Sequence, residues 1–336
     1  MQKIILALIS VTLLLVAAGC DSSQPATKKP GGSSSGVGTA FIGGSSAIQM
    51  EFMEGAPPVE TYDGGGNNFG IAVRVENMGE ANIPADKIRF TITGFDVSDF
   101  YTPASGTIAK TKLNKTIMDL QGEALSARDI DPQGNELPGG IQIVDFGNDF
   151  DYKKKLSGNI DFPIQANVCY NYETRAVSKI CVEEDLLDPV AEGKVCESNE
   201  NKNVESSAGP ILLSSSMLES AAGSAKIQFK FDIEHTGSGS VYRRSEKVNC
   251  YEQTESRDYV KVTVETGIGG TLSCAGLDGE NGQGTDSGEV KLYSGKRTIS
   301  CTQDITDLGD YEKELKIKLE YDYKENLATS ILVKHI

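Results

Sequence analysis

The sequence has no tryptophan, two histidines and only 7% aromatic residues. A Ser/Cys–His–Asp site needs a histidine positioned by the fold. His335 is penultimate and His235 closes a strand-like segment, so both read as surface residues. No Cys-x2-Cys spacing occurs, which argues against zinc or iron–sulfur ligation by cysteine. No glycine-rich loop follows a strand and opens a helix, as phosphate cradles do. Gly64-Gly65-Gly66 instead joins one strand to the next. Cations are outnumbered: 32 Lys and Arg against 48 Asp and Glu give a net charge of −16. That balance disfavours nucleic acid, whose phosphates need a basic face. With so many carboxylates, no spacing singles out a glycosidase pair. The expectation is a protein that is not an enzyme.

Long apolar runs are absent after the first twenty residues, so no later segment is expected to span a bilayer. Residues 1–20 are another matter. Lys3 precedes an apolar stretch from Ile4 to Ala18, which ends in Ala17-Ala18-Gly19-Cys20. This is short of the roughly 20 residues of a membrane span and has the form of a secretory signal. A cysteine after small residues resembles a bacterial-type lipobox, with cleavage before Cys20 and acylation of its thiol. Ala17 stands where the usual lipobox has Leu. An ordinary signal peptide or an uncleaved anchor is the plainer alternative. Residues 21–44 are rich in Ser, Gly, Pro, Thr and Lys, the composition of a flexible tether. The expected location is extracytoplasmic, on the outer face of the cell membrane, held there by lipid.

About 290 residues remain, enough for two ordinary domains. Their six cysteines are Cys169, Cys181, Cys196, Cys250, Cys274 and Cys301, an even number that suggests disulfides in an exported chain.

Alternating residues supply the fold class. Ile71, Val73 and Val75 fall on one face of a segment that runs through Glu76-Asn77-Met78-Gly79. Phe229, Phe231 and Ile233 do the same before Glu234-His235-Thr236-Gly237. Period-two patterning marks half-buried strands. Tyr170-Asn171-Tyr172 and Tyr321-Asp322-Tyr323 recur at a constant offset, with matching apolar positions on both sides. Each copy reads as ending in a long hairpin, the first turning at Arg175. That turn sets Cys169 opposite Cys181 and favours their pairing. Cys274 and Cys301 flank a strand from Glu289 to Tyr293 and pair next, leaving Cys196 with Cys250; an alternative joins Cys181 to Cys196. Further strands are expected at 47–53, 87–93, 211–216 and 259–265, and a short helix at 118–130. The expected class is all-β: two tandem immunoglobulin-like β-sandwich domains, 45–184 and 209–336, joined by an acidic linker, 185–208.

Val73-x-Val75-Glu76-Asn77-x-Gly79, with Ile83 beyond, resembles CARDB-like and related immunoglobulin-like repeats of prokaryotic surface proteins. Together with Met50 to Pro58, the Cys169-Tyr-Asn-Tyr-Glu-Thr stretch and the lipobox, the chain resembles uncharacterised archaeal surface lipoproteins. In the second copy His235 replaces the counterpart of Asn77. The resemblance implies an adhesive, scaffold or envelope role, with envelope proteins or glycans as partners, and brings no catalytic residues.

The remaining candidates are weak. Asp278, Glu280, Asn281 and Asp286 alternate oxygen ligands with glycines, as a calcium loop does, but the EF-hand spacing fails. Asp145, Asn148, Asp149 and Asp151 form a second acidic cluster. Mobile polar loops are the plainer reading of both. Asn114-Lys115-Thr116 is a glycosylation sequon. Phe95, Phe100 and Tyr101 are the residues for a glycan- or peptide-binding cleft, unless they are simply core. Glycan or peptide binding is the alternative to a structural role.

Overall fold

The computed structural model describes residues 39–100, 117–118, 120, 123–187, 194–248, 250, 254–279, 281–307 and 309–336. The described residues are all-β, with no α-helix among them. The first half contributes β1 (Ile48–Phe52), β2 (Glu60–Tyr62), β3 (Ala72–Asn77), β4 (Ile88–Thr93), β5 (Ile117–Met118), β6 (Asp129–Ile130), β7 (Glu136–Leu137), β8 (Ile141–Asp145) and β9 (Ile160–Val182). The connection holds β10 (Asn201–Asn203) and β11 (Glu205–Ser206). The second half contributes β12 (Ile211–Leu213), β13 (Ser216–Ala221), β14 (Lys226–His235), β15 (Ser240–Tyr242), β16 (Tyr259–Glu265), β17 (Leu272–Ala275), β18 (Thr285–Lys291), β19 (Lys296–Asp304) and β20 (Tyr311–Lys334).

The expected closing hairpins do not form. β9 runs unbroken through Arg175 for 23 residues, and β20 for 24. They pair with each other, antiparallel, from Tyr311↔Val182 to Val333↔Ile160. Tyr170 faces Tyr323, Tyr172 faces Tyr321 and Asn171 faces Asp322. Each tyrosine thus faces the counterpart of its neighbour, and the ribbon has a local two-fold axis at Asn171 and Asp322, which are 151 residues apart. A signal for this was present: Asn171-Tyr-Glu-Thr-Arg-Ala176 contains no Gly, Pro or Asn-Gly, so nothing there makes a tight turn.

Around this ribbon a nine-stranded sheet assembles in the order β18-β16-β20-β9-β4-β5, with β2, β11 and β15 paired to the two long strands. Two smaller sheets are β1-β3-β8 and β10-β13-β14-β19-β17, with β12 on β14. Val73 and Val75 of one, Phe229, Phe231 and Ile233 of the other, and Ile164, Ala166, Val168, Tyr170, Tyr172 and Ala176 of β9 enter one continuous apolar core. The opposite face of the long ribbon carries Glu173, Arg175, Lys316, Lys318 and Glu320.

Thr39–Ile336 is one compact unit. The expected boundaries at 184/185 and 208/209 therefore do not separate two bodies. The acidic stretch is tied into the sheets instead, since β10 pairs with β13 and β11 with β9. The tether also ends earlier than residue 44. Ile42 N and Gly43 N donate to the Glu80 carboxylate at 2.8 and 2.9 Å. The helix expected at 118–130 is absent from the described part of that span, where Asp129–Ile130 pairs with β7.

Candidate functional site at the strand crossing

Four tyrosines meet at the two-fold axis. Tyr170, Tyr172, Tyr321 and Tyr323 pack with ring centroids 5.9 to 6.3 Å apart, mostly edge to face. Each hydroxyl must find a partner once buried. Tyr172 Oη donates to Ala208 O at 2.8 Å. Tyr321 Oη and Thr174 Oγ1 are 2.8 Å apart. Tyr323 Oη accepts from Gly239 N at 2.8 Å and lies 2.9 Å from His235 Nε2. His235 is therefore part of the core edge and not a plain surface residue; burial lowers its pKa, against the charge of Asp258. Tyr170 Oη donates to Glu325 Oε1 at 2.6 Å. Burial pushes the Glu325 carboxyl up to about 7, with the Tyr170 hydrogen bond opposing.

On the other face of the ribbon, Asn171 Nδ2 donates to Asp322 Oδ1 and to Ser245 O. Ser245 Oγ donates to Asp322 Oδ2 at 2.5 Å. Burial raises Asp322 to about 6 despite these bonds. The segment that brings Ser245 is stapled over the ribbon by Cys169–Cys250, with Cα atoms 5.9 Å apart.

Beside this cap opens a cleft of about 340 Å³, lined by Glu80, Asn82, Pro84, Lys87, Asn171, Glu173, Arg175 and Arg244 among others. It exists because β4 pairs with β9 only as far as Tyr170 and β11 pairs with β9 only from Ala176. Around the axis, β15 occupies the corresponding edge of β20, from Tyr323 with Val241 to Asp322 with Tyr242. The cleft offers charges of both signs to a polar ligand. Glu80 is already committed, since Ala208 N also donates to it at 2.6 Å. A second cleft of about 390 Å³ lies on the outer face of the ribbon, between Phe41, Arg175, Val177, Thr263, Lys316 and Lys318.

The six described cysteines form three disulfides. Cys274–Cys301 is as expected, the two residues facing each other on β17 and β19. Cys169–Cys181 is not formed: the two lie twelve residues apart on one continuous strand, roughly 40 Å at 3.3 Å per residue. Cys181 pairs with Cys196, the alternative reading, and Cys250 goes to Cys169. Three disulfides point to an oxidising, extracytoplasmic compartment. No described helix is long and apolar enough to cross a membrane.

Among the described residues no group of three or more His, Cys, Asp or Glu is arranged to hold a metal ion. Asp286 is buried in β18, where its Oδ2 accepts from Cys274 N at 2.6 Å and burial raises its pKa. It supports the disulfide strand and does not face a calcium loop with Asp278 and Asn281; Glu280 lies outside the described residues. In the second acidic cluster, Asp151 accepts from Gly66 N at 2.7 Å and Asn67 N at 3.2 Å and pairs with Lys153, so the Gly64–Gly66 loop wraps a carboxylate. Phe95 and Phe100 belong to an aromatic core with Phe69, Phe150, Tyr152 and Phe162. Tyr101 lies outside the described residues, as do Cys20 and Asn114. His335 Nδ1 is 2.7 Å from the buried Asp63 carboxylate, which also accepts from Leu156 N and Ile336 N. Sequence reasoning missed this latch, because Asp63 and His335 are 272 residues apart.

Comparison with known proteins finds no matching family model and no significantly similar curated protein.

Proposed function

We propose that the chain is a non-catalytic, lipid-anchored surface protein that displays one rigid β-body outside the cell membrane. The observation that carries this reading is the long β9–β20 ribbon, stapled by two of the three disulfides. Such a body resists local opening, because its two halves share hydrogen bonds along 23 register positions. The signal, lipobox and Ser/Gly-rich stretch before Thr39 supply the anchor and spacer. The polar tyrosine crossing has hydroxyls satisfied by neighbouring main chain and side chains, which suits a structural core and leaves no poised nucleophile there.

Subcellular fractionation with lipid labelling tests the anchor. Wild type is expected in the membrane fraction with label, and Cys20→Ser in the medium without it. Unlabelled membrane attachment of the variant overturns the anchor. The mixed-charge cleft near Asn171 favours glycan or peptide binding as a second reading. A glycan and peptide screen on residues 39–336, repeated with Arg175→Ala and Arg244→Ala, tests that reading. Binding lost in the variants places it in the cleft, and no binding by wild type ends it.

A further inference from the structure

Beside the Cys181–Cys196 disulfide, a lysine and a glutamate are buried together without reaching normal hydrogen-bond distance. Lys202, on β10, has a side chain 8% exposed, and that of Glu219, on β13, is 0% exposed. β10 and β13 pair with Lys202 opposite Met217, so Glu219 is the diagonal neighbour on the adjacent strand. Lys202 Nζ lies 3.5 Å from Glu219 Oε2. The other carboxylate oxygen, Oε1, accepts from Cys181 N at 2.9 Å, which fixes the group. Oε2 has no hydrogen-bond partner, which is costly for a buried charged oxygen. A second carboxylate, Glu200 Oε1, sits 2.6 Å from Nζ, and its side chain is half exposed.

From this geometry we infer that Lys202 and Glu219 condense into an intramolecular amide that cross-links β10 to β13. Nζ passes a proton to Glu200, and its lone pair attacks Glu219 Cδ. The Nζ–Cδ bond forms, the Cδ–Oε2 bond breaks, and the orphaned oxygen leaves as water with protons relayed by Glu200. The balance is ammonium plus carboxylic acid to amide, one water and one proton, which Glu200 passes to solvent, with no oxidant or co-reactant. Burial also pushes Glu219 up to about 8, so near neutral pH it holds the proton that makes it an electrophile. The amide removes both the unpartnered oxygen and the buried ammonium charge of Lys202. The inference stands apart from the anchor and from the cleft.

Trypsin makes the test simple, because a modified Lys202 is not cleaved. The full-length protein, folded, then reduced, alkylated and digested, is expected to yield one peptide, Val195–Lys226, lighter than its sequence by one water. Fragmentation should place the link between Lys202 and Glu219. Glu219→Ala should instead give separate Val195–Lys202 and Asn203–Lys226 peptides. Glu200→Gln should slow the appearance of the linked peptide at least tenfold after refolding. If folded wild-type protein gives only the two separate peptides, the pair is an ordinary buried ion contact and the inference is overturned, whatever the variants do.

Discussion

At Gly79 a Cβ would lie 1.9 Å from Tyr172 Oη, and at Gly237 one would lie 2.3 Å from Tyr323 Oη. Both glycines therefore admit a tyrosine from the crossing, a close approach that no side chain allows. Gly79→Ala is expected to cost about 1–3 kcal/mol by overpacking, with part recovered in the double variant Gly79→Ala/Tyr172→Phe. Chemical denaturation of the four proteins of the cycle measures both effects. The carboxyls give a second expectation. Asp322 and Glu325 have folded values raised to about 6 and 7 from ordinary values of 3.8 and 4.5. The folded state then holds protons that the unfolded chain has lost. The associated stability is fully present below pH 4 and disappears as pH rises through 6 to 7. Denaturation midpoints should fall across this window, and Glu325→Gln should flatten its upper part. A midpoint that rises from pH 5 to pH 8 contradicts the assignment.

Among the elements, β9 and β20 were readable as strands but not as partners. Their alternation, the Tyr-x-Tyr pair and the fixed offset were all plain in the sequence. The missing turn signal at Arg175 was the clue that they continue. Other elements, β1, β3, β4 and β16, lie within a residue or two of their expected positions, because one buried face fixes their period, and β14 starts three residues before Phe229. The cap over the crossing was not readable, since it depends on Cys250 reaching Cys169 across 81 residues. Removing that staple with Cys169→Ala/Cys250→Ala is expected to cost about 2–5 kcal/mol and to expose Asp322. Thermal unfolding checks the first effect. Faster hydrogen exchange at 169–173 and 321–324, with exchange elsewhere little changed, checks the second.

For the whole molecule, the shared sheet makes the halves dependent on each other. Without β9, the 23 paired positions of β20 become an open edge, which invites aggregation. Residues 39–184 and 209–336 expressed separately should each aggregate, whereas co-expression should give a one-to-one complex. Size-exclusion chromatography distinguishes these outcomes; two well-behaved monomers would show that the ribbon is not needed for folding. The candidate site follows the same logic. Its residues come from Glu80, from Asn171 to Arg175 and from Arg244, segments that no local pattern connects.

The amino-acid order alone settled the all-β class, the main strand faces and the recurrence of Tyr-x-Tyr, because those depend on period-two burial and on composition. Tertiary structure decided that equivalent segments face each other, that two of the three disulfides follow that pairing and that a cleft is left beside it. Which strand lies next to which is a long-range choice, made by the whole core closing around four tyrosines, and alternation within a single strand carries no record of it.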